Sequence, residues 1–397
     1  MVLSLVIGLG VVTAAPERAT VSVATSAQLR KAIAEARPGI TIRITPGTYQ
    51  GSIVAGGLRG QPERPIVLAA ADPRHPPVIK GGKDGLYLAG PAYVELHNLV
   101  VTGTQNNGIN IDDVGTNGTP AHDIILRGLI VRDLGPRGNQ HGIKLSGVDR
   151  LQIVNCNLER WGSEGSGIAM VGCHQGAILG CLLRHTGREL GYGVQIKGGS
   201  SNILVRRCRF EHTGSRAANL GGNTDLPYFR PRPQGYEAKD LIVEDCIFIG
   251  SGAPIALVGV DGAVVRHNTF YRPRQWSLRI LQETNEPGFV PCRNGVVSDN
   301  IIIFRSDEMK EPINIGNATA PETFRLSHNL WFCQDDPSRS RPMLPIPEVD
   351  GVYGQDPQLL DPERGNFRPS DDSPWKGLGP RIKPVTDSSK TADRPQN

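Results

Sequence analysis

At 397 residues, 38% of them hydrophobic, the chain can bury one large core or two small ones. Its 48 glycines and 31 prolines beside only 5% aromatic residues argue against a helix bundle packed on large side chains and for many short strands joined by turns. A formal charge of +4 makes no case for a nucleic-acid partner, which would need clustered Lys and Arg with aromatics between them.

In chain order, the apolar run Val2 to Ala15 is too short to span a bilayer and ends in the small residues Thr13-Ala14-Ala15. Residues 1–15 therefore read as a signal peptide of a secreted or periplasmic protein that inserts in no membrane, although only Met1 precedes the run and no positive leader is present. From Thr25 to Arg37 a helical period (Leu29, Ile33, Ala36) opens with a Thr25/Gln28 capping box and stops at Pro38-Gly39. One short amphipathic helix ahead of many strands suits a cap over the open end of a stacked sheet. Strands follow over Ile40–Ile44 and Ile66–Ala69.

Beyond these a unit repeats. Asn98, Gly128, Cys156, Cys181, Cys208, Cys246, Asn268, Asn300 and Asn329 each stand in a similar apolar frame, 22 to 38 residues apart. A drifting period of this size marks a solenoid whose units bury their inner faces against one another. The seven cysteines form no C-x-x-C pair, and Cys156, Cys181, Cys208 and Cys246 are most simply a buried ladder continuing the asparagines. A second row gives alternating strands with inward pairs Ile143/Leu145, Ile168/Met170, Val194/Ile196, Ala218/Leu220, Ile255/Leu257 and Leu278/Ile280. The pattern resembles the all-β, right-handed parallel β-helix of the pectate-lyase-like superfamily, with three short strands per coil. We expect one such domain over residues 20–380, including the cap at 25–37 and a trailer at 350–380. In the trailer the turns Asp356-Pro357 and Ser373-Pro374 resemble those that close the stack in secreted β-helix proteins. The polar stretch 381–397 is expected to be a disordered tail.

Outward residues of neighbouring coils should stack into ladders. One row runs Asn110, Lys144, Ala169, Gln195, Asn219, Ala256, Arg279, Asn314, and the next Asp112, Ser146, Val171, Lys197, Gly221, Val258. The leading edge carries His141, Tyr192, Arg216 and Trp276. For any single Lys or Arg a solvated surface is the blander explanation, but as a set these residues describe a trough for an extended acidic polymer. The insertion Gly221–Asp240 leaves the sheet beside Lys197 and can bring Tyr228, Arg230, Arg232 or Tyr236 over it, and a second insertion, Gln282–Arg293, adds Glu283.

Lys197, the Asn202 turn and the Phe210 corner resemble the lysine strand of alginate lyase and chondroitinase B type polysaccharide lyases. That resemblance implies β-elimination, in which Lys197 removes the proton α to a uronate carboxylate while an arginine or a calcium ion neutralises the carboxylate. The arginine of those enzymes is not at its place, because Gly221 stacks on Lys197. Arg216, Arg230 and Arg232 are the candidates to replace it, with Tyr236 a further catalytic candidate. Their acidic calcium ligands are also absent, leaving Asp112 and Asp113, three coils away, as the residues able to bind Ca2+ through oxygen. We expect His141, Lys144, Tyr192, Gln195, Asn219, Arg232, Trp276, Arg279 and Glu283 to contact substrate, and the protein to be a monomer. A glycoside hydrolase, which needs two facing carboxylates, and a non-catalytic carbohydrate-binding or adhesive β-helix are the alternatives.

Overall fold

A computed structural model describes residues 19–115, 119–135, 137–186, 190–344 and 346–381. The expected signal peptide and nearly all of the expected tail lie outside these residues. Three parallel sheets of 13, 10 and 12 strands, each built from strands about three apart in sequence, wind into a right-handed parallel β-helix. Inner side chains alternate with outer ones, as a strand buried on one face requires. Ile143, Leu145, Ile168, Met170, Val194, Ile196, Ala218 and Leu220 are all fully buried. Stacking is in register from coil to coil, Ile168 on Val194 and Gln195 on Asn219 among others.

The corner ladder exists with one shift. Cys156 N–H donates to Cys181 Sγ, and further along Cys246 N–H donates to Asn268 Oδ1, Asn268 N–H to Asn300 Oδ1 and Asn300 N–H to Asn329 Oδ1. All seven cysteines are buried thiols. Strand pairing sets Asn157 on Ile130 and Ile130 on Val100, so Leu129 and Leu99, not Gly128 and Asn98, continue the ladder. Asn98 and Gly128 fill the preceding left-handed position with φ near +55° and +62°, as Asn155 (φ +53°) does before Cys156. Both positions favour Asn, which is why the sequence frames look alike.

The helix is shorter than expected, Ser26–Ala34, with Thr25 capping Gln28 N–H and Leu29, Ala32 and Ile33 buried. The Arg30 guanidinium donates to the carbonyls of Gly51 and Ser52, tying the cap to the first coil. Glu348–Val349 and, at the start of the trailer, Val352–Tyr353 are the last strands of the 13- and 12-stranded sheets. Beyond them the trailer runs back along the outside of the 12-stranded sheet, where Phe367 meets Tyr271 edge-on at 5.2 Å and Arg381 pairs with Asp245 at 2.8 Å. The outward residues there, Tyr271, Ile301, Ile303 and Leu330, are apolar and buried beneath it. Covering each is worth about 1.5–3 kcal/mol, which explains the path.

Candidate functional site

The ten-stranded sheet carries the candidate face. Its registers place Asn110, Lys144, Ala169, Gln195, Asn219, Ala256, Arg279 and Asn314 in one outward row. At the end of the strand Tyr192–Lys197 a cleft of about 340 Å³ opens between this face and the insertion that begins at Gly221. His141, Lys144, Gln195, Lys197, Tyr228 and Arg230 are among the residues lining it. Gly221 and Gly222 allow the chain to leave the sheet here, because a Cβ on Gly222 would sit 3.1 Å from Lys197 Cδ. A backbone crossing therefore occupies the place where an arginine was expected.

The Lys197 ammonium donates to the carbonyl of Asn223 at 2.7 Å, and no carboxylate among the described residues pairs with it. Burial lowers its pKa below the ordinary lysine value, Lys144 adds to the effect, and Glu237, Asp225 and Glu283 pull the other way. His141 is buried and accepts the Ser166 amide on Nδ1 at 3.0 Å, which places its proton on Nε2. Burial, aided by Lys144 and Lys197, pushes its pKa down to about 3, so it stays a neutral imidazole. Lys144, on the neighbouring row two coils away, has no carboxylate partner among the described residues.

The arginines are differently placed. Arg230 lines the cleft, but its Nε is held by the buried Asp113 carboxylate at 3.1 Å, so it fastens the wall of the cleft. Its backbone is fixed as well, with N–H donating to Gly198 O and O accepting from His174 Nε2. Arg216 stacks above Tyr192, not Lys197, and donates to Asn219 Oδ1 at 2.9 Å and Glu283 Oε1 at 2.8 Å. Its guanidinium lies 5.8 Å from the Tyr192 ring centroid. Further along, Arg279 lies 4.1 Å over the Trp276 ring and donates to Asn314, while Glu311 accepts from Trp276 and Asn314. Arg216, Asn219, Tyr192 and Glu283 thus form one cluster and Trp276 and Arg279, with Asn314 and Glu311, a second, both beside the cleft and outside its lining. Arg232 is exposed at the loop tip. The ring of Tyr236 is half-buried under Lys239 on the other side of the loop and does not line the cleft.

Calcium does not fit the residues present. Asp112 accepts from the Tyr87 hydroxyl and the Val114 amide, and Asp113 is spent on Arg230 and the Gly115 amide. Among the described residues no three His, Cys, Asp or Glu side chains gather to hold a metal. A larger cleft of about 590 Å³ lies beneath the trailer, with Arg272 and Arg209 already paired to Glu308 and Glu211.

Sequence reading missed Glu237. It is fully buried beside Lys197 and accepts hydrogen bonds from Gly198 N–H, Thr224 N–H and the hydroxyls of Thr224 and Thr284. Nothing in the sequence separates it from Asp225 and Asp240 of the same loop.

The family model for a right-handed β-helix region matches residues 84–227. No curated protein sequence matches the chain. Among solved structures it resembles a rhamnogalacturonan lyase (TM-score 0.56, 13% identity, covering 87% of this chain and 88% of that one). It also resembles the alginate lyase from Paenibacillus sp. str. FPU-7 (TM-score 0.52, 19% identity, 76% of this chain and 99% of that one). A third likeness is to the pectate lyase Pel9A (TM-score 0.52, 12% identity, 90% and 84%). The chain is a right-handed parallel β-helix protein, and at these identities the likeness is one of fold. Among the described residues no helix is long and apolar enough to cross a membrane.

Proposed function

We propose that the Lys197 cleft binds a uronate unit of an acidic polysaccharide outside the cytoplasm and cleaves the chain by β-elimination. The observation that carries this reading is a half-buried lysine with lowered pKa, held by one carbonyl and ion-paired with no carboxylate among the described residues, at the floor of a walled cleft. Its neutral amine removes the proton α to the carboxylate, the C–O bond at the β position breaks as the double bond forms, and the proton on Lys197 passes to the leaving oxygen.

The charge developing on the carboxylate must be met by fixed positive groups or donors. Arg216, Arg230 and Arg279 are committed to protein partners, so we assign this role to Lys144 and the Nε2–H of His141, both of which line the cleft. No metal is required by this scheme. Hydrolysis is disfavoured because Asp225 is the one carboxylate among the residues lining the cleft, where two are needed.

The test is incubation with alginate, pectate, glycosaminoglycans and sulfated glycans, following the ultraviolet absorbance of the unsaturated uronate that elimination alone produces. Activity on one of them that persists at wild-type rate in Lys197→Ala would overturn the assignment. Binding without absorbance change by the wild-type protein across the panel would favour the adhesive alternative.

A further inference from the structure

We infer that Glu237 is a positioning residue for Lys197, acting through a single peptide group. The peptide joining Asn223 to Thr224 has its N–H bonded to Glu237 Oε1 at 2.8 Å and its carbonyl bonded to the Lys197 ammonium at 2.7 Å. In a trans peptide these two groups point in opposite directions. Carboxylate and ammonium therefore face each other across one planar unit, each polarising it in the same sense.

Glu237 also grips the lysine from below, since its Oε2 accepts the amide of Gly198, the residue after Lys197, at 3.0 Å. The Thr224 hydroxyl reaches the same oxygen at 2.8 Å, and the Thr284 hydroxyl reaches Oε1 at 2.5 Å. Four donors from three segments thus converge on one fully buried carboxylate, and no Lys or Arg pairs with it among the described residues. A charge buried without a cation persists only where hydrogen bonds meet it on all sides. Here those bonds fasten both insertions to the end of the lysine strand, with Phe229 against Phe289 at 5.5 Å and Val290 N–H on Gly235 O as further ties between them.

The consequence for the reaction rests on the role proposed for Lys197. A neutral amine that keeps one N–H on Asn223 O has its lone pair directed away from that carbonyl. Holding the carbonyl in place therefore aims the base, and the buried negative charge sets how readily the base is unmasked.

The titration of Lys197 can be read without substrate, from the pH dependence of its side-chain NMR signal, identified by its loss in Lys197→Gln. In Glu237→Gln the amide oxygen still accepts from the Thr224 N–H and the Thr284 hydroxyl, the Thr224 hydroxyl can turn to accept from the new NH2 group, the Gly198 N–H loses its acceptor, and the charge is gone. The expected result is a Lys197 midpoint lower than wild type with hydrogen exchange of both insertions little changed. Glu237→Asp keeps the charge and shortens the reach by one methylene. There, exchange of the 221–225 and 282–286 amides should quicken about tenfold or more and the Lys197 midpoint should rise as water enters.

These opposite movements are what a merely structural acid would not produce. An unchanged or raised midpoint in folded Glu237→Gln overturns the inference. If that variant does not fold, an unchanged midpoint and exchange in Glu237→Asp overturn it. Because neither readout uses turnover, failure here is distinct from failure of the elimination chemistry, which is read on Lys197→Ala.

Discussion

Two halves of one sheet carry the same kinds of residue and do different things with them. Around Arg216 and Arg279 each cation lies over an aromatic ring and its guanidinium is hydrogen-bonded to side chains of the same face, Arg216 to Glu283 and Asn219 and Arg279 to Asn314, so both are held within the surface. Around Lys197 and Lys144 the cations face a cleft, and their carboxylate partners are absent among the described residues. The first arrangement rigidifies a surface. The second leaves its cations open to a ligand, and burial lowers the Lys197 pKa toward the neutral amine that a base requires. A row of cations on a solenoid face thus says little until each one's partner is known.

The contrast can be broken most sharply at Lys197. If it is the base, Lys197→Ala should lower the elimination rate by about 10²–10⁴-fold, read as the initial rate of unsaturated uronate formation. Arg279→Ala, outside the cleft lining, should stay within about threefold. Equal losses for the two would erase the distinction.

Next in size is the wall. Arg230→Ala breaks the ion pair with the buried Asp113 carboxylate at the cleft wall and should cost about 3 kcal/mol in urea unfolding. Arg232→Ala, at the exposed tip, should stay within about 0.5 kcal/mol. A stable Arg230→Ala protein that had lost only affinity for anionic glycans would instead make Arg230 a substrate ligand.

Lys144→Ala should lower kcat/KM on the uronate substrate by about 10–100-fold, with no comparable effect from Arg216→Ala beyond its loss of stability. The pH profile sharpens the same point. Because the Lys197 pKa is lowered, kcat/KM should rise with pH through a midpoint below the ordinary lysine value of 10.5. A midpoint at or above that value would remove desolvation as the activating cause.

A further effect, confined to acid pH, concerns stability. His141 titrates near 6.5 when unfolded and is pushed down to about 3 in the fold. Between these values the unfolded chain binds the proton and the folded chain does not. Its contribution is therefore full above about pH 6.5 and is lost as pH falls toward 3, by at most about 5 kcal/mol. Urea midpoints measured over that window should fall less in His141→Gln than in wild type.

The β-helix is legible in the sequence because its determinants are local and repeated. A strand buried on one face must alternate, and a corner that turns the chain must place Asn, Gly or a small buried side chain at fixed offsets. The one-residue error at Asn98 and Gly128 arose because two adjacent corner positions both accept Asn, for left-handed backbone in one and for ladder bonding in the other. The outward position of Lys197 beside Val171 was legible too, from the alternation of its strand.

The partners of the cations were not legible, because they are set by insertions whose paths no period governs. Arg230 on Asp113 spans 117 residues and Arg216 on Glu283 spans 67. Glu237 resembles any loop acid in the sequence and becomes a buried hub only once two insertions close over it. The alternation and spacing of side chains determined the coil and the row on which Lys197 stands. The tertiary structure alone decided which charges were neutralised and which were left facing the cleft, since desolvation and pairing depend on contacts between segments that are distant along the chain.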